Sequence, residues 1–124
     1  MADDGTSSQS VFDGRVVDRC EQIMAHLWMV RTFVKHSDEV EDFPELMMTA
    51  RTIFDTALAL ETRIEDPAKY QHMLRKKIGK LRAAAEQFKI DAPQASLHTN
   101  FKMAVISFDA GVGELEAILA QASA

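Results

Sequence analysis

Four histidines, at positions 26, 36, 72 and 98, and one cysteine, Cys20, stand among nineteen carboxylates in this 124-residue sequence. These are the side chains that could ligate a metal, move a proton or carry a phosphoryl group. A helical zinc pocket draws on histidines one turn apart, at i, i+4, and no two of the four stand so. A carboxylate-bridged di-iron centre needs Glu-x-x-His on two helices, and that tetrapeptide does not occur. Neither a metal nor another cofactor is therefore expected. His72 is followed by Arg75 and Lys76, at i+3 and i+4. An exposed imidazole there would accept a phosphoryl group, with a cation about one helical turn away to stabilise it. Arg31 and His36 suit a different reaction, in which the guanidinium polarises a phosphate and the imidazole moves a proton.

Each pair carries a short resemblance. His72-Met73-Leu74-Arg75 is similar to the His-x-Leu-Lys-Gly core of histidine phosphotransfer domains, which are helical bundles. The resemblance implies a phosphorelay role for His72, with Arg75 as its cation. Lys76, however, occupies the position of the family's small glycine, which leaves room for the response regulator. Arg31-Thr32-Phe33-Val34-Lys35-His36 resembles the Arg-x4-His motif of the ribonuclease-like HEPN families, which implies action on an RNA backbone. Here Thr32 replaces the polar residue that follows the arginine in those families, and the motif falls in the first helix instead of late in the bundle. Neither likeness extends beyond a few residues, and a solvated His72 on a basic helix face is the simpler reading.

No glycine-rich phosphate loop, nucleophile elbow or acid–base pair is visible, so a non-catalytic protein is expected. The formal net charge of −5 argues against nucleic acid or an anionic membrane as a general partner. No apolar run reaches the roughly 20 residues of a membrane span. The acidic, polar start MADDGTSSQS is unlike a secretory leader, and a cytoplasmic location is the expectation. Cys20 has no intrachain disulfide partner and reads as a small buried hydrophobe.

The elements that must position these residues are four apolar stripes stepping by threes and fours. They are Val16, Cys20, Ile23, Leu27, Val30, Val34; then Leu46, Ala50, Ile53, Ala57, Leu60, Ile64; then Leu74, Ile78, Leu81, Ala85, Phe88; and last Leu97, Phe101, Ala104, Phe108, Gly111, Leu115, Ile118. That spacing lays each set on one face of an α-helix. The expected fold is all-α: an antiparallel up-down-up-down four-helix bundle with helices over 10–37, 43–64, 67–90 and 96–121. Residues 1–9 read as a disordered acidic tail, and 10–124 as one domain. Ser10, Asp42 before Pro44, Asp66 before Pro67, and Ser96 are the expected N-caps, with a loop over 37–42.

The first and fourth helices carry more apolar surface than a bundle core requires. Trp28, Met29 and Phe33 lie off the first stripe, and Met103 to Val112 is interrupted only by Ser107 and Asp109. The second and third helices, with Arg51, Asp55, Arg63, Lys76, Lys80 and Glu86, read as conventionally solvated. An apolar arc wider than its neighbours can cover calls for a partner. A homodimer is the expected assembly, with Trp28, Met29, Phe33, Met103, Ile106 and Ala110 at the contact. The alternatives are an unidentified protein partner and a wider core in which Trp28, Phe33 and Met103 fold over the bundle ends.

Overall fold

The computed structural model describes residues 11–123 and is all-helical there, with no strand among the described residues. Five α-helices occur: α1 Gly14–Lys35, α2 Glu39–Asp42, α3 Met47–Glu61, α4 Pro67–Ala95 and α5 Thr99–Ser123, with a 3-10 turn at Pro44–Leu46 before α3. The expected tail over 1–9 and the expected Ser10 cap lie outside the described residues.

Most boundaries differ from expectation, each for a local reason. α1 begins at Gly14 because the Asp13 carboxylate accepts from the backbone N–H groups of Arg15 and Val16. The segment expected as a loop contains the four-residue α2. Its first turn holds Glu39, Glu41 and Asp42, carboxylates that favour the positive end of a helix dipole. Asp42 caps nothing. Instead the 3-10 turn at Pro44–Leu46 runs directly into α3, whose start has no side-chain cap. α3 ends at Glu61, where Arg63 Nη1 donates to the Ala59 carbonyl at 2.6 Å.

The Asp66–Pro67 start of α4 is as expected, with Asp66 Oδ1 accepting from Lys69 N–H. α4 then runs five residues past the expected end at Ile90, through Pro93. Proline at 93 removes one helical hydrogen bond, the one to the Lys89 carbonyl, close to the helix end. Gln94 Nε2 donates back to the Ile90 carbonyl and Ser96 N–H to that of Ala92. α5 starts at Thr99 instead of 96, and the cap is an imidazole: His98 Nδ1 accepts from Asn100 N–H at 3.0 Å. Ser96 Oγ accepts from His98 N–H, one step upstream. Leu97, expected to open the fourth stripe, therefore sits in a connection and is 75% exposed.

α1 packs on α3 and α5, and α4 packs on the same two helices from the other side. Cross-helix contacts give the directions. Arg19 meets Glu114 while Phe33 meets Phe101, so α1 and α5 are antiparallel. Arg75 reaches Leu119 while Lys89 reaches Asp109, so α4 and α5 are antiparallel too. Leu27, Ile53, Leu81 and Phe108, one from each long helix, are fully buried. Tyr70, which no stripe includes, is also fully buried, and its phenol donates to Glu21 Oε2 at 2.5 Å. Burial at the core pushes the Cys20 thiol up to about 12.

Candidate docking faces

Two rows of side chains run along the outside of the α1–α5 pair. Arg19, Gln22, His26, Met29 and Phe33 follow each other at three- and four-residue steps on α1. Glu114, Ala110, Ile106 and Met103 do the same on α5. Three rungs fix their register. Arg19 Nη2 meets Glu114 Oε2 at 2.6 Å, Gly111 lies against Leu27 and Ile23, and the Phe33 and Phe101 rings meet edge-on at 4.9 Å. Between the first and last rungs, Met29 is 65% exposed, Met103 55% and Ile106 59%, with Ala110 open beside them. The exposed apolar side chains of this face are bordered by His26 on α1 and by Lys102, one turn before Ile106, on α5. Apolar surface left in water this way is the usual mark of a contact site.

Two of the six expected interface residues stand differently. Phe33 is half-buried against Phe101, so it closes the core under this face and does not project from it. Trp28 points to the other side of α1. Its ring meets Phe54 of α3 at 6.0 Å, and the Arg31 guanidinium lies 4.1 Å above it and 5.5 Å from Phe54. Phe54, Leu58 and Met48 of α3 are exposed, so α3 is not the conventionally solvated helix that its charges suggested. The signal was legible: Phe54 and Leu58 stand at i, i+4 off the second stripe, the spacing that marked Met29 and Phe33 on the first. Next to this aromatic pair runs a groove of about 190 Å³ lined by Arg31, Lys35, Met47, Ala50, Arg51 and Phe54.

The candidate reactive pairs are not assembled as their motifs require. Arg31 lies on the Trp28–Phe54 side of α1. His36, the C-cap residue of that helix, lines a separate depression with Phe33, His98 and Phe101 towards α5. The two groups thus face different neighbours and share no common reacting atom. His72 is exposed, as a phosphotransfer histidine must be. Its expected cation is engaged elsewhere, since Arg75 Nη2 donates to the Leu119 carbonyl at 3.0 Å.

Further along α4, Arg82 is the centre of a network of ion pairs. Its guanidinium donates to Glu86 of its own helix and to Asp109 and Glu116 of α5, at 2.7 to 3.0 Å. Lys89, two turns beyond Arg82, also pairs with Glu86 and Asp109. Hydrogen bonds from Arg82 and Lys89 hold the Asp109 carboxyl below the usual carboxylate range. The network clamps α4 to α5. Sequence spacing shows its Arg82–Glu86 arm, but the α5 partners appear only once the helices are docked.

No group of three or more histidine, cysteine or carboxylate side chains able to hold a metal occurs among the described residues. No helix among them is long and apolar enough to cross a membrane. No family model, curated protein or solved structure matches the chain.

Proposed function

We propose that the chain is an antiparallel up-down-up-down four-helix bundle that works by binding, without catalysis, and pairs with a second copy through the α1–α5 face. The arrangement rests on the pairwise packing of the four long helices, with α2 as an extra turn in the first connection. The observation that carries the function is the exposure of Met29, Met103 and Ile106 together between the Arg19–Glu114 and Phe33–Phe101 rungs. A second copy is the fitting occupant because both helices of the face contribute exposed apolar side chains. Two such faces meet through those side chains about a two-fold axis, despite the net charge of −5. The Arg19–Glu114 pair at the rim offers both signs to the partner's equivalent pair.

Sedimentation of the intact protein at micromolar concentration tests the reading. The wild type is expected to run as a dimer, and Ile106→Glu or Met29→Glu as a monomer with unchanged helical content. Each substitution places a charge in water in the monomer and in an apolar contact only in the dimer. Phe33→Glu does not serve, because it strikes the packed Phe101 ring and threatens the fold itself. A wild-type monomer would overturn the proposal.

A further inference from the structure

We infer that the α1–α3 groove is a second docking site, independent of the face proposed for self-association, and that its occupant is an acidic amphipathic helix of another protein. The cations carry the first part of the argument. Arg31, Lys35 and Arg51 surround one groove, and none forms an ion pair among the described residues. Other lysines and arginines of the chain also lack an ion pair among the described residues, but these three converge on one hollow beside apolar side chains. Arg31 is also held in place. Its guanidinium lies over Trp28, and Nη1 donates to Thr32 Oγ1 at 3.3 Å.

The apolar part of the same surface supplies the second half. Trp28 and Phe54, with Leu58 one turn on from Phe54, remain exposed beside the cations, where α1 and α3 meet. A groove between two helices with apolar residues along it and cations at one end is the complement of a helix with an apolar stripe and flanking carboxylates. Size separates this occupant from a metabolite. About 190 Å³ is room for one inserted side chain, below the several hundred Å³ of typical small-molecule sites. Charge separates it from a polyanion. Asp55 lies one turn beyond Arg51, and Glu39, Glu41, Asp42 and Glu45 crowd the same end, so a continuous phosphate surface would meet repulsion that a discrete helix avoids.

Trp28 is the single tryptophan of the chain, so its fluorescence reads the groove directly. The full-length protein is titrated with a synthetic Leu/Glu peptide whose leucines follow the helical period. Parallel titrations use the same composition in shuffled order, inorganic phosphate, and phosphatidylserine vesicles. A saturable blue shift is expected with the helical-period peptide alone, weakening as salt is raised. Lys35→Glu and Arg51→Glu, which leave the Arg31–Trp28 stack untouched, should each raise the half-saturation concentration roughly ten-fold at unchanged helical content. Ile106→Glu should leave it unchanged, which separates this site from the α1–α5 face. The inference is overturned if the peptide gives no shift, if shuffled peptide, phosphate or vesicles give the same shift, or if both charge reversals bind as the wild type does.

Discussion

A β-carbon placed on Gly111 would lie 2.7 Å from Cδ2 of Leu27. Leu27 is fully buried at the centre of α1, so its side chain has no open space to retreat into. Gly111 is therefore a point of close approach between α5 and α1, and the missing side chain is what permits it. The glycine serves packing inside the chain. It is not available to bring a partner's backbone close.

Gly111→Ala should destabilise the protein by about 1–3 kcal/mol through overpacking, even though alanine is the better helix former. Gly79, exposed on α4 with nothing within 4 Å of a β-carbon, makes the opposite case. Gly79→Ala should stabilise by about 0.5–1 kcal/mol. Leu27→Ala alone should cost about 2–5 kcal/mol. Combined with Gly111→Ala it should cost less than the sum, because each change makes room for the other. Denaturant melts of the four variants check all of this, and strict additivity would show that the two sites do not touch.

Arg82→Ala should lower stability near neutral pH by roughly 1 kcal/mol, a modest figure because the partners are partly exposed. The sign of the pH dependence follows from Asp109. Its folded-state carboxyl titrates below the ordinary range, so its contribution is present above that range and is lost as pH falls through the folded value. The gap between wild type and variant should therefore close in acid, below about pH 4. A gap that persists there would assign the effect to the arginine's methylene packing instead of its charges.

Tyr70 is the single tyrosine, and burial together with its hydrogen bond to Glu21 raises its phenol far above the ordinary value. Because the folded protein keeps this proton, stability is full below the unfolded value, near pH 10, and falls as pH rises beyond it. The absorbance change of phenolate formation should thus coincide with alkaline unfolding and not precede it. Tyr70→Phe should cost about 1–2 kcal/mol through loss of a hydrogen bond to a charged acceptor. A phenol that titrates near pH 10 in a folded protein would show that the ring is open to water.

Helix identity was legible in the stripes because burial follows the 3–4 period directly. Cys20, Ile23, Leu27, Leu60, Leu81, Phe88, Phe108 and Leu115 are buried as their spacing requires. The ends were less legible, because caps there are supplied by groups that read otherwise. Asp13 is the cap of α1, three residues past the expected Ser10, while the imidazole of His98 replaces the hydroxyl expected at the start of α5. Tyr70 escaped notice because it lies one turn ahead of Leu74, next to the helix start, where burial depends on α1 docking over it. Met29, Met103 and Ile106 were found as surplus apolar residues. Trp28 was assigned to the wrong neighbour, since periodicity places a residue on a face without saying which helix covers it.

α3 has 15 residues and α4 has 29, so at 1.5 Å per residue the first is roughly 20 Å shorter than the helix it packs on. The connection through α2 and the 3-10 turn makes up part of that difference. Leu46 is fully buried within it, and Val40 and Phe43 pack on the core. The connections are thus not interchangeable for protein engineering. New termini or an inserted reporter belong at Glu65, exposed between Ile64 and the Asp66 cap, whereas the same insertion at 38–46 would lift the cover from one end of the molecule.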